Sequence, residues 1–311
     1  MGIRWGLCCQ FADNGVRFRQ ATHRYVTTLP PAIRAAYLQS IVRANAIALA
    51  HAVSRCSELG IGAFRMSSQI LPLATHPVSG YTLESLDADG VIRRSFASAG
   101  ELARLHNVRL SFHPDQFVVL NSIREEVVAA SILELDTQAR LGELVGADTI
   151  TLHVGGMTDG KPAALERLER NIDRLSPAAR SRLALENDDR LFTVKDLYEL
   201  CLRSRVPLVY DVHHHRCNPD GLDVQTATNL SIETWRGREP WMHLATARDG
   251  ATAANPRPHA DYIDPADFPG EWVNRTITVD VEAKAKDAAI VALRDALAVS
   301  APSCQDRAQR S

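Results

Sequence analysis

Six strand-like runs in this chain close on a residue that can bind a metal ion. VRLSFHPDQ carries His113, DTITLHVGG carries His153 and RLALENDD carries Glu186. PLVYDVHHH carries Asp211 with a triple histidine behind it, PWMHLA carries His243 and TITVDVEAK carries Glu282. Each run is followed by a helical stretch or by a long loop to the next strand. In a parallel barrel the C-terminal strand ends converge on one face, so these distant residues would meet there. Imidazoles and carboxylates gathered in one place make a divalent-metal site.

The rest of the chain repeats the same strand–helix unit. IRWGLCC is the first strand-like run, and the helical stretch IRAAYLQSIVRANAIALAHAVSRCSEL ends at Gly60 and Gly62. AFRMSS is the second strand. The helices SAGELARLH, EEVVAASILELDTQARLGELVG, ALERLERNIDRL, TVKDLYELCLRS, VQTATNLSIETW and EAKAKDAAIVALRDAL punctuate or close the later ones. Eight strands alternating with helices predict an α/β fold, a single (β/α)8 TIM barrel with a metal cluster at the C-terminal strand ends. At 311 residues the chain is long enough for this as one domain, residues 1–299, followed by a flexible tail, 300–311.

Composition narrows the setting. No apolar run is long enough to span a bilayer, and Arg4 interrupts the opening run, which therefore lacks a signal-peptide core. The six cysteines show neither a CxxC pair nor a disulfide framework, which predicts a reduced, cytoplasmic protein, and one associated with the nucleoid if it is bacterial and acts on DNA. The formal charge of −2 is not that of a typical nucleic-acid binder, although a local patch matters more than the total. Only four of the basic residues are lysines, and compositional bias accounts for the arginines more readily than function does.

Three imidazoles (His113, His153, His243) and three carboxylates (Glu186, Asp211, Glu282) exceed what one tetrahedral ion needs. They suit two or three ions sharing a bridging carboxylate. Mixed nitrogen and oxygen ligation fits Zn²⁺ or Mn²⁺. Such a cluster activates water and stabilises a phosphoryl or enediolate transition state. Phosphodiester hydrolysis and sugar isomerisation or epimerisation are thus the two natural chemistries. On a continuing strand Asp211, His213 and His215 would share a face; a break after Val212 would let His214 turn back instead. His76 and His259 lie in loops where periodicity says nothing, and His23, His51 and His106 fall outside the pattern.

The strings RMSS, HPDQFVVL, HVGG, LENDD, DVHHH and EAKAK, in this order, resemble those of the UV damage endonuclease family, as does the opening IRWGLCC. The resemblance runs from about residue 3 to about residue 290. It implies a TIM barrel similar to endonuclease IV that nicks damaged double-stranded DNA on the 5′ side of UV photoproducts and some other lesions. It implies metal ligands at His113, His153, Glu186, Asp211, His214, His243, His259 and Glu282, and so decides for His214 within the triple histidine. His76 matches a further active-site histidine, which joins Glu186 and His243 as a catalytic candidate. The implied cofactors are two or three divalent ions, Mn²⁺ first, with Zn²⁺, Mg²⁺ or Co²⁺ as alternatives. A monomer without an obligatory protein partner is expected.

Gln116 and Phe117 match the pair that probes the lesion inside the duplex; a flat aromatic wedge replaces lost stacking. Packing beneath its own loop is the plainer alternative for Phe117. The first long loop interleaves Arg17, Arg19 and Arg24 with Phe18 and Tyr25, a pattern that can hold phosphates and stack on bases. Arg65, in AFRMSS, is grouped with them as a DNA contact, and Arg93 and Arg94 extend the positive charge. The loop after the seventh strand is acidic instead. Two departures from the family stand out. Trp241 occupies the position of a usual lysine, and Leu7, Cys8 and Cys9 stand where a tyrosine is common. They bear on a third metal position and on nicking efficiency, and they admit a damage-binding barrel with weakened catalysis.

Overall fold

A computed structural model of the protein describes residues 2–13 and 15–300, with the backbone alone for Ser300. Eight parallel strands close on themselves in sequence order: β1 (Arg4–Cys8), β2 (Ala63–Met66), β3 (Arg109–Phe112), β4 (Thr149–His153), β5 (Leu183–Glu186), β6 (Leu208–Asp211), β7 (Trp241–Leu244) and β8 (Thr278–Val281). The helices between and after them are α1 (His23–Thr28), α2 (Pro31–Glu58), α3 (Leu83–Leu86), α4 (Val91–Leu105), α5 (Glu125–Val145), α6 (Lys161–Ile172), α7 (Pro177–Arg182), α8 (Val194–Ser204), α9 (Val212–Cys217), α10 (Val224–Thr234) and α11 (Asp287–Ser300). This is the (β/α)8 barrel that the strand count predicts. The expected tail lies outside the described residues apart from Ser300, whose backbone ends α11. Among the described residues, no helix is long and apolar enough to cross a membrane.

The outward faces of the strands are apolar throughout. Leu7, Phe64, Met66, Leu110, Phe112, Ile150, Leu152, Leu185, Leu208, Tyr210, Met242, Leu244, Val279 and Val281 belong to the large core shared with the helices. Residues of the opposite parity face the barrel axis. Ala63, Ala184, Val209 and Trp241 form a small apolar cluster there, and the buried Ser111, Thr149, Thr151, Thr278 and Asp280 have the same parity. Polar groups are thus not confined to the strand ends that the sequence pattern marks: the interior is polar well below the mouth. Period-two alternation hides in runs this short, because half of each run is outward-facing Leu, Val and Phe.

Trp241 belongs to the floor of this interior. The Arg109 guanidinium lies 4.3 Å from its ring centroid and also donates to Thr278 Oγ1 and to the Glu239 carbonyl. His243 is two residues farther along the same face. The acidic loop after β7 is pinned down. Its Asp267 pairs with Arg216 at 3.1 Å, and the buried Trp272 donates to Thr228.

Candidate metal centre

β5 delivers Glu186 to the mouth fully buried, with imidazoles against both carboxylate oxygens. Oε2 lies 2.8 Å from His113 Nε2 and 3.6 Å from His153 Nε2. Oε1 lies 2.7 Å from His243 Nδ1 and 3.4 Å from His214 Nδ1. The strand order explains the arrangement. β3 and β4 approach β5 from one side, and β6 and β7 from the other. Two triads result, His113/His153/Glu186 and Glu186/Asp211/His214, each with ligand atoms within 4.8 Å of one another. Glu186 is common to both.

The triple histidine is sorted by a strand-to-helix break. β6 ends on Asp211, whose Oδ1 accepts the His214 backbone N–H at 2.7 Å and so caps α9. One helical turn then returns His214 to the side of Asp211. Its Nδ1 lies 3.6 Å from Asp211 Oδ2. His213 turns to the Arg257 carbonyl, and His215 is held between Tyr210 and Asp220. Asn187, next to Glu186, exchanges two 2.9 Å hydrogen bonds with the Asp211 backbone and splices β5 to β6. In LENDD, sequence reasoning marks Glu186 and misses this splice.

The groups fit divalent ions. Asp211 Oδ2 is buried without a hydrogen-bond partner, an arrangement that costs free energy unless a cation or proton joins it. The His113 Nδ1–H can donate to the Pro114 carbonyl at 3.1 Å, leaving Nε2 to offer its lone pair toward Glu186 and His153. Carboxylate oxygens mixed with imidazole nitrogens suit Mn²⁺ or Zn²⁺.

Charge balance supports the same reading. Burial opposes ionisation of Glu186, yet His243, His153 and His113 outweigh it and hold this carboxyl well below the usual range. Glu282 is likewise depressed: burial raises it, but Arg65 and His243 prevail. Burial opposes charge on His214, but Asp211 and Glu186 push its pKa up to about 9. His153 is lowered, chiefly by burial.

The remaining candidates divide. Glu282 and His259 join the rim, with Glu282 Oε1 3.5 Å from His243 Nδ1 and Oε2 3.7 Å from His259 Nδ1. Arg65 does not lie on the surface as a DNA contact would. It is buried at 8% exposure, donating from Nε to Asp280 at 2.9 Å and from Nη2 to Glu282 at 2.6 Å. Short β2 points it inward, where carboxylates neutralise it. His76 accepts the Val78 and Ser79 amides at Nδ1 and stacks on His23 at 4.2 Å. His23 thus has a partner that periodicity could not reveal. Phe117 is 76% exposed beside exposed Gln116, which removes the alternative of packing beneath its loop. Arg17, Arg19 and Arg24 are exposed. Arg93 and Arg94 are engaged within the protein, with Asp87 and with the Asp89 carbonyl.

The chain matches the family model for UV-endonuclease UvdE over residues 3–305. It belongs to that family. A UV DNA damage endonuclease from Bacillus velezensis is 31% identical over 288 residues, covering 89% of this chain and 87% of the relative. One from Nostoc is 30% identical over 295 residues, covering 93% and 88%. The solved structure of SacUVDE superposes with a TM-score of 0.82 at 26% identity, over 96% of this chain and 99% of that one. Endonuclease IV from Thermus thermophilus matches at a TM-score of 0.61 and 15% identity, over 94% and 98%, and shares the fold. The mouth of this UvdE barrel is where Glu186 and its histidines meet.

Proposed function

We propose that this UvdE-family chain is a metal-dependent DNA repair endonuclease. It hydrolyses the phosphodiester on the 5′ side of UV photoproducts and related helix-distorting lesions in double-stranded DNA. The observation that carries the reading is Glu186 shared between two ligand triads at the barrel mouth. His113 and His153 would hold one ion with Glu186, and Asp211 and His214 would hold a second. His243, His259 and Glu282 complete the set and offer a third position. The donor set suits Mn²⁺ and Zn²⁺ alike; the family resemblance puts Mn²⁺ first, with Zn²⁺, Mg²⁺ and Co²⁺ as alternatives. Bound ions supply Lewis acidity, which activates water at neutral pH and offsets charge developing on the phosphate.

The chain's own residues do the rest. Glu186 keeps its charge at neutral pH and fixes the spacing of the two triads. His76 is a catalytic candidate, its Nδ1 committed to backbone amides and its Nε2 therefore carrying the proton when the ring is neutral. Gln116 and Phe117 stand exposed on the loop that follows β3, a placement suited to entering a distorted duplex. Arg17, Arg19 and Arg24 hold backbone phosphates. The enzyme acts as a cytoplasmic monomer without an obligatory protein partner.

An end-labelled duplex carrying one photoproduct, incubated with purified protein and Mn²⁺, tests the proposal. A nick immediately 5′ to the lesion supports it. Tight binding without a nick points to a damage-binding barrel, and neither binding nor a nick refutes both.

A further inference from the structure

Asp280 is absorbed neither by the ligand set nor by the fold. It lies in β8, two residues before Glu282 and on the same inward face. It is 1% exposed, its Oδ2 accepts from Arg65 Nε at 2.9 Å, and its Oδ1 has no hydrogen-bond partner. The backbone makes room for it. A Cβ on Gly6, its register partner in β1, would come within 2.0 Å of Asp280 Oδ1. A buried carboxylate held in a space cleared by glycine, with one oxygen unused, is expensive unless something else engages it.

Gly6 leaves that oxygen its space, and the other oxygen, Oδ2, is turned to Arg65 and, beyond it, to His243. The His243 Nδ1 faces the carboxylates, 2.7 Å from Glu186, 3.5 Å from Glu282 and 3.9 Å from Asp211. Its Nε2 faces Arg65 Nη2 at 3.2 Å, with Asp280 Oδ2 next at 3.8 Å. Arginine can only donate, so in this state Nε2 is the acceptor and Nδ1 carries the proton toward Glu186. An ion taken up among the carboxylates needs the Nδ1 lone pair. The neutral ring then carries its proton on Nε2, where it confronts another donor. A movement of about 1 Å between ring and carboxylate would bring Asp280 Oδ2 to hydrogen-bond distance.

We propose that Asp280 is a positioning residue for His243, accepting its Nε2–H in the ion-loaded protein, with Arg65 as the counter-ion that keeps Asp280 in place. The resulting carboxylate–histidine–ion relay fixes the tautomer and orientation of the ring. This inference rests on the metal reading above and assigns a role to two buried groups that hold no ion themselves.

Mn²⁺ titration by calorimetry of the wild-type chain, Asp280→Ala and Asp280→Asn, with circular dichroism as a check of folding, tests it. Removing such a partner weakens ion affinity by about 10–100-fold, so Asp280→Ala should show that loss. Asp280→Asn, which keeps an acceptor oxygen, should recover most of it. Nitrogen-15 spectra of the wild-type protein loaded with Zn²⁺ give an independent reading, with the His243 proton expected on Nε2. Unchanged Mn²⁺ affinity in a folded Asp280→Ala, or an unprotonated Nε2 in the loaded wild type, would overturn the role of Asp280 and leave the metal centre standing. A wild-type chain that takes up no ion would overturn the metal reading and this inference with it.

Discussion

Both oxygens of Glu186 face imidazoles, so a single amide substitution breaks the link between the two triads. Glu186→Gln should abolish incision and lower bound metal per chain, measured by elemental analysis, while the circular dichroism spectrum stays that of the wild type. Full activity in this variant would remove the bridging role. Phe117 is expected to act without touching any ligand. Phe117→Ala should weaken binding to damaged duplex by roughly 1–3 kcal/mol, the usual worth of a stacked aromatic, with metal content unchanged. Equal losses on stacked and on gapped substrates would argue against a wedge. At this scale the sequence was legible where a strand simply ends: His113, His153, Glu186, Asp211 and His243 were readable from position. His214 needed the family resemblance, because a strand and a helix put different histidines on the Asp211 side. Asp280 was readable in principle, being two residues from Glu282, but a carboxylate buried with an arginine leaves no mark in periodicity.

The elements that matter most are the short ones. β6 ends on Asp211, a proposed ligand that is also the N-cap of α9, so one carboxylate fixes both the break in the chain and the position of His214. β1 and β8 meet at Gly6 and Asp280, where the missing side chain of one strand accommodates the carboxylate of the other. Gly6→Ala should therefore overpack the interior and lower stability by roughly 1–3 kcal/mol, seen as a lower midpoint in chemical denaturation. A midpoint equal to that of the wild type would mean that Asp280 has room to spare. The sequence predicted eight strands and most of the long helices, since α2, α5 and α8 announce themselves by apolar spacing, whereas α4 begins at Val91, seven residues before the expected SAGELARLH stretch. The polar interior below the mouth was not foreseen. Four-residue strands offer only two inward positions each, too few for a pattern to stand out from the apolar outer face.

Across the whole molecule, the closed barrel concentrates buried charge at one end, and its stability is linked to protons there. In the metal-free protein the His214 pKa, about 9, is above the usual histidine value of about 6.5. Its contribution to stability is thus complete below that ordinary value and is lost as pH rises through about 9. The same proton competes with an ion. Apparent Mn²⁺ affinity should rise with pH toward 9, with a slope of up to about tenfold per pH unit for one displaced proton, measured by titration at several pH values. A pH-independent affinity would exclude His214 as a ligand. The most direct measurement of the centre as a whole is an anomalous difference map from crystals soaked in Mn²⁺. Peaks are predicted on both sides of Glu186, one beside His113 and His153 and one beside Asp211 and His214. A map with no peak at Glu186, or with ions bound only elsewhere, would contradict the metal centre described here.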